Sequence, residues 1–207
     1  MRDEYFAEFV SEFGEATMRA DLPPEAYATW RGKLPDQLLT YWKEEGWSAY
    51  AGGLFWTVDP GGYEDLVDEW LHDSGLEQVD AFHAIARTAF GDLYLCGEKT
   101  GTSVSIACDI NAIFAMRSNL TPKSPDRLDL NIKRFFGLSM KSCDCKDDSG
   151  EPLFARALAT LGPLAPDEMY GFEPALILGG KMTLQNLRKV KLDQHLTILR
   201  QLATPTL

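Results

Sequence analysis

The chain of 207 residues has a formal net charge of −11, from 31 acidic and 20 basic side chains, and 45% of its residues are hydrophobic. Enough apolar surface is present to build a core, which excludes an extensively disordered chain. The negative charge argues against direct binding to nucleic acids or to anionic membranes, because both present phosphate groups.

The acidic residues are concentrated towards the N-terminus. Residues 1–80 contain 18 of the 31 acidic side chains but only 5 of the 20 basic ones. The negative electrostatic field of these residues would attract a basic partner, and it would equally serve solubility, so charge alone leaves both interpretations open.

The N-terminus has no apolar core of signal-peptide length, and no stretch approaches the roughly 18 apolar residues of a membrane span. We therefore expect a cytoplasmic protein.

Helices are predicted for most of the first fifty residues. Apolar residues at helical spacing indicate an amphipathic helix over residues 3–13, ended by Gly14. A brief helix follows up to Arg31, and Pro35 opens a stronger helix that ends at Gly46. Residues 54–58 are rich in β-branched and aromatic side chains between glycine-containing turns, and this pattern predicts a strand.

An acidic helix is predicted over residues 62–72. Leu66, Val67, Trp70 and Leu71 would form its apolar side. The opposite side carries the candidate partner-binding carboxylates, which are Glu64, Asp65, Asp68, Glu69 and Asp73. A row of carboxylates can pair with the Lys and Arg side chains of a DNA-binding groove, although most acidic helix faces are only solvated.

Short β-prone runs separated by turn residues dominate residues 82–116 and predict an antiparallel meander. A loop over 117–127, a helix over 128–136 and a solvated connection over 139–150 follow. The last part is predicted to contain a helix over 153–161, a buried strand over 175–178 and a terminal helix within 184–202.

Aromatic residues crowd the window from Trp42 to Trp70. Most should belong to the core, whereas Tyr50, placed in the turn before Gly52, is our candidate for an exposed interface anchor. Segment 166–174 is a second candidate binding loop because it mixes polar and aromatic residues.

Motifs for catalysis are missing from the sequence. It lacks the glycine-rich nucleotide loops, the HExxH metalloprotease motif and the GxSxG nucleophile motif. Cys143 and Cys145 are spaced too closely for a zinc pair, so we expect exposed loop cysteines, no metal site and no cofactor. A hydrolase using His83 or His195 with a carboxylate is kept as a minor alternative.

Four segments of the sequence resemble known families. LPDQLLTYWKEEGWSAYAGGLFWTVDPGGYEDLVDEWL (34–71) and ARTAFGDLYLCGE (86–98) resemble the GAD-like domain. LGPLAPDEMYGFEPALILGG (161–180) and NLRKVKLDQHLTIL (186–199) resemble the C-terminal domain that accompanies it in immunity proteins of type VI secretion DNase toxins. The resemblance implies an α+β fold with a mainly antiparallel sheet, helices packed on one side of it, and two closely associated subdomains. We assign residues 1–100 to the first and 101–207 to the second, with the boundary between residues 100 and 150.

The resemblance also implies a function. It predicts a non-catalytic, cytoplasmic immunity protein (antitoxin), monomeric when free, that binds one cognate basic nuclease toxin and covers or distorts its active site. Direct contact with nucleic acid or membrane is not expected. A non-catalytic intracellular adaptor or scaffold of the SMI1/KNR4 type remains an alternative.

Overall fold

Residues between 18 and 115 build a seven-stranded antiparallel sheet in which each strand pairs with its neighbours in the chain. A separate two-stranded antiparallel sheet is formed by residues 168–172 and 187–191. The computed structural model describes residues 2–207 and confirms the predicted α+β class. In chain order its elements are α1 (Glu4–Phe13), β1 (Met18–Ala20), α2 (Pro24–Trp30), α3 (Asp36–Glu45), β2 (Trp47–Tyr50), β3 (Phe55–Thr57), α4 (Glu64–Leu71), β4 (Phe82–Thr88), β5 (Leu93–Gly97), β6 (Gly101–Ala107), β7 (Ala112–Ala115), α5 (Pro125–Phe135), α6 (Met140–Cys143), α7 (Phe154–Leu161), β8 (Glu168–Phe172), β9 (Leu187–Lys191) and α8 (Leu192–Leu202).

One row of paired residues crosses all seven strands and defines one face of the sheet. It contains Met18, Ala49, Trp56, Arg87, Leu93, Ile106 and Ile113, each paired with the next. Successive side chains in a strand point to opposite faces, so the residues between them lie on the other side. We call the face with this row the front face and the other the back face.

The back face is covered by an aromatic core. Helix α1 places its buried phenylalanines against the strands, with Phe9 4.9 Å from Tyr50 and 5.6 Å from Phe55 between ring centroids. Phe136, just after α5, belongs to the same cluster, and its ring centroid lies 5.2 Å from that of Phe9. Large aromatic side chains bury much apolar area each, so this cluster is a main source of stability for the N-terminal part.

The front face is covered by α4 and α8 over its β4 to β7 end. Leu93, Ile106 and Ile113 are buried there in one cluster with Trp70 of α4 and Leu196 of α8. The helices thus pack on both faces, and the one-sided arrangement implied by the resemblance is wrong. The central strand β4 is buried along its whole length, so both of its faces must be covered by other elements.

Most elements follow the sequence-based predictions. The helices that end at Gly14 and Gly46, the acidic helix and the four-stranded meander are all confirmed. The predicted strand over 175–178 is wrong, because this stretch is a 3-10 turn, Leu176–Leu178. Pro174 lacks a backbone N–H, Gly179 has a left-handed φ of 83°, and Leu178 is 63% exposed, so the apolar run neither pairs nor is buried.

The predicted solvated connection over 139–150 is partly wrong. Its first half forms α6, and Cys143 at the end of this helix is buried in the aromatic core. Cys145 is half-buried and its thiol lies 3.8 Å from an Asp109 carboxylate oxygen. The expectation of two exposed loop cysteines therefore fails, since the short helix turns Cys143 inward.

A buried arginine joins the sheet to the C-terminal part of the chain. Arg87 on β4 stacks its guanidinium 4.5 Å from the Trp56 ring centroid and donates to the carbonyl of Pro166 at 2.9 Å. The N–H of Tyr170 on β8 also donates to the carbonyl of Ala89 at 2.8 Å.

Because β6 and β7 belong to the large sheet, we propose that the boundary between the two subdomains follows Ala115, within the interval 100–150.

Two half-buried aspartates lie near the same junction. Asp92 lies in the turn between β4 and β5, and Asp109 lies in the turn between β6 and β7. Oδ2 of Asp92 accepts a hydrogen bond from the Thr88 hydroxyl at 3.4 Å, whereas its Oδ1 has no partner among residues 2–207. Burial and the neighbouring Asp109 charge raise the pKa of Asp92 to about 7, and burial also raises the pKa of Asp109.

Candidate partner-binding surface

Helix α4 is fixed to the body of the protein along its whole length. Its apolar side chains Leu66, Val67, Trp70 and Leu71 are buried. Nε1 of Trp70 donates to the Leu196 carbonyl at 3.2 Å. Arg200, also on α8, donates to the carbonyls of Glu69 at 3.0 Å and His72 at 3.2 Å, which satisfies backbone groups at the C-terminal end of α4. The helix therefore presents its outer side as a rigid surface.

The outer side carries all five carboxylates that were predicted from sequence. We call Glu64, Asp65, Asp68, Glu69 and Asp73 the acidic face. Asp65 and Asp68 are exposed and Glu69 is half-buried. Asp73 follows the helix in a left-handed conformation with φ of 64°, and its exposed carboxylate lies 3.5 Å from the His72 imidazole. The structure thus brings the predicted carboxylates together on one helix and its following turn.

Glu64 is partly neutralised by a histidine clamp. His83 on β4 lies between two carboxylates, with Nδ1 2.9 Å from Glu64 Oε1 and Nε2 3.2 Å from Glu98 Oε1. Burial opposes its ionisation, but the hydrogen bonds and charges of Glu64 and Glu98 outweigh burial and raise the pKa of His83. Trp30 packs edge-on against the ring at 4.9 Å between centroids. The clamp ties the first turn of α4 to the β5–β6 turn, where Glu98 lies.

Three carboxylates of the acidic face are not neutralised. Within residues 2–207, no Lys, Arg or His nitrogen lies within 4.0 Å of a carboxylate oxygen of Asp65, Asp68 or Glu69. These three carboxylates are directed to solvent on a helix that cannot readily rearrange. Such an arrangement can attract a basic protein surface and pair with its Lys and Arg side chains.

Tyr50 does not belong to this surface, and its predicted exposure is wrong. The side chain is completely buried in the back-face aromatic core, where burial raises the pKa of its hydroxyl. The sequence placed Tyr50 in a turn, but the turn begins one residue later, at Ala51, and Tyr50 is the last residue of β2. As a strand residue opposite Phe55, it points into the core.

The second candidate loop, 166–174, is also reassigned. Its residues form β8, and Met169, Tyr170 and Phe172 are buried against the sheet and α7. The Tyr170 hydroxyl donates to the carbonyl of Gly162 at 2.7 Å. The aromatic residues of this segment therefore stabilise the junction and are not available as interface anchors.

His83 occupies a structural position. Both ring nitrogens of His83 are engaged by carboxylates, so the ring positions α4 and does not face a hydroxyl or thiol nucleophile. His195 is half-buried on α8, and burial lowers its pKa. Among residues 2–207, no three His, Cys, Asp or Glu side chains are grouped so that they could hold a metal ion. The same residues contain no helix long and apolar enough to cross a bilayer.

Three residues that position the acidic face could not be identified from the sequence. His83 and Glu98 form the clamp, and Arg200 satisfies the C-terminal carbonyls of α4. These residues are far apart in the chain from the helix that they fix, and single-sequence periodicity carries no signal for such contacts. The sequence suggests for His83 only a hydrolytic role, as a minor alternative.

Comparisons with known proteins relate the chain to two families. Residues 4–110 match the model of the GAD-like domain, and residues 129–203 match the model of the C-terminal domain of the type VI secretion immunity protein Tdi1. The crystal structure of Atu4351 from Agrobacterium tumefaciens has the same fold, with a TM-score of 0.81 and 23% sequence identity. The alignment covers 96% of this chain and 88% of that chain. No curated protein matches the sequence.

Proposed function

This chain belongs to the GAD-like domain family, and from that premise we propose that it is an immunity protein that binds and inhibits a cognate nuclease toxin of type VI secretion. The match of residues 129–203 to the C-terminal domain of Tdi1 supports a role in immunity. We place its action in the cytoplasm of the producing cell, where a DNase that enters would reach the chromosome. In this role the protein acts by occupancy and without turnover.

The three carboxylates of the acidic face that have no ion-pair partner among residues 2–207 carry the proposal for how inhibition occurs. A DNase must bind phosphate groups, and its substrate groove is therefore lined with Lys and Arg. The carboxylates of Asp65, Asp68 and Glu69 have the charge to replace phosphates in that groove, and α4 holds them in fixed positions. We propose that the acidic face enters the DNA-binding groove and excludes DNA.

The charge distribution also supports rapid capture of the toxin. The acidic face lies within the N-terminal part of the chain, which contains most of the excess negative charge. Long-range attraction between oppositely charged surfaces accelerates association and weakens as salt rises. Fast capture suits an inhibitor whose target damages the genome within few turnovers.

A titration tests the proposed function. Purified nuclease encoded beside the gene for this chain is mixed with increasing amounts of the protein, and cleavage of plasmid DNA is followed. We expect activity to fall linearly to zero at one protein per nuclease, with the free protein monomeric in light scattering. Full cleavage at a several-fold excess of the protein would contradict the proposal.

A further inference from the structure

The two edges of the seven-stranded sheet differ in how they are protected. At one edge, the C-terminal tail pairs with β7, where the Ile113 N–H donates to the Thr206 carbonyl at 2.7 Å. At the other edge β1 is exposed along its whole length, and within residues 2–207 no segment pairs with its outer side. An unpaired edge strand offers backbone donors and acceptors for an added strand.

An apolar hollow lies directly beside this free edge. Helices α4 and α8 cover the front face only from β4 onward, so neither helix lies over the start of the residue row. Met18, Ala49 and Trp56 from that row form the floor of a hollow of about 250 Å³, and Tyr63 and Pro166 form its wall. Met18 is 42% exposed there, as an apolar side chain on an edge strand.

The hollow adjoins the acidic face. Asp59 lines it, and α4 begins immediately after Tyr63, so Glu64 and Asp65 continue the acidic surface beyond the wall. The one basic side chain among the hollow's lining residues, Arg19, forms an ion pair with Asp21 at 3.0 Å. The chemistry that fits this site is a large apolar side chain flanked by Lys or Arg.

We infer that the toxin's contact with the acidic face extends into this hollow. An extended segment of the toxin pairs with the outer edge of β1, inserts an apolar side chain between Met18, Trp56 and Tyr63, and places flanking basic residues beside Asp59 and the acidic face. Strand addition supplies main-chain hydrogen bonds, and the adjacent pocket supplies side-chain selectivity. This inference rests on the proposed function, because its occupant is the toxin.

Paired methionine substitutions test the inference. Met18→Ser removes the exposed apolar side chain from the hollow, and Met116→Ser makes the same change next to the opposite edge, where Met116 is 66% exposed. The probe is the nuclease encoded beside the gene, carrying an inactivating active-site substitution. We expect Met18→Ser to raise the Kd about tenfold through faster dissociation, with an unchanged salt dependence, and Met116→Ser to bind like the wild type.

Amide hydrogen exchange provides a second test of the inference. Strand addition predicts that exchange in residues 17–21 slows when the nuclease binds. If the wild type binds the nuclease while Met18→Ser binds equally well and exchange in 17–21 is unchanged, the inference is overturned and the proposed function stands. If the wild type does not bind the nuclease, the proposed function itself fails. A self-association of the free protein that Met18→Ser abolishes would identify a second copy as the occupant and would also overturn the inference.

Discussion

Lysine at positions 65 and 68 is expected to slow association with the nuclease by about tenfold or more and to flatten the dependence of the association rate on salt. Asp65 and Asp68 are exposed, and neither forms an ion pair with another of the residues 2–207, so their charge is available to a partner. The double substitution changes the charge of the acidic face by four units and places like charges opposite the toxin's basic groove. Stopped-flow or surface-based kinetics at several salt concentrations measure the effect.

A matched control separates the position of the charge from its amount. Glu4→Lys with Glu8→Lys also changes two exposed helical carboxylates, in this case on α1. Each pair includes one acidic residue in the first turn of its helix, so the loss of a favourable interaction with the helix dipole is similar. We expect the α1 variant to keep most of the wild-type rate. Equal slowing by both variants would show that only net charge matters, and unchanged kinetics in the α4 variant would exclude the acidic face from the contact.

Replacing Asp92 by Asn is expected to increase the free energy of unfolding at pH 8 by on the order of 2 kcal/mol. The carboxyl is buried beside Asp109, and its Oδ1 has no partner among residues 2–207, so ionisation in the folded state is unfavourable. The amide keeps the shape of the side chain without acquiring a charge. Urea unfolding of the wild type and the variant across a pH series measures the difference.

The sign of the pH dependence follows from the raised pKa. A carboxyl whose pKa is raised in the folded state binds its proton more tightly there than in the unfolded chain. Its contribution to stability is complete below the ordinary value of 3.8 and is lost as pH rises towards the folded value of about 7. The wild type should therefore lose stability between about pH 4 and 7 more steeply than Asp92→Asn. As a control, Asp148→Asn changes an exposed loop carboxylate and should keep the wild-type profile.

Elements with strong local signals could be predicted from the sequence. The helices that end at Gly14 and Gly46 combine an apolar stripe with a glycine at the end, where each glycine has a positive φ. The meander over β4 to β7 has clear turn residues between β-prone runs. In each of these cases the local pattern and the tertiary packing favour the same structure.

Elements that depend on tertiary partners could not be predicted. Strand β1 is three residues long and wholly exposed, and it exists because it pairs with β2. The mixture of polar and aromatic residues in segment 166–174 favours a binding loop, yet residues 168–172 form β8 and pair with β9. At Tyr50 an error of one residue in the position of a turn moved the side chain from the core to the surface, since strand side chains alternate.

The candidate site also contains some residues that could be predicted from the sequence and others that could not. The five carboxylates of the acidic face could be found from helical periodicity, because they lie on one amphipathic helix. The residues that fix this helix could not be found, because His83, Glu98 and Arg200 reach it from other elements. The hollow beside β1 could not be predicted from the sequence either, because it exists only where the helices leave part of the front face uncovered.

Competition between this protein and DNA for the nuclease tests the central claim most directly. The inactive nuclease is bound to a fluorescent DNA duplex, the protein is added in steps, and DNA binding is followed by fluorescence anisotropy. If the acidic face fills the DNA-binding groove, the apparent Kd for DNA will rise in proportion to protein concentration without reaching a limit. An apparent Kd that levels off, with DNA and protein bound to one nuclease molecule at the same time, would contradict this account.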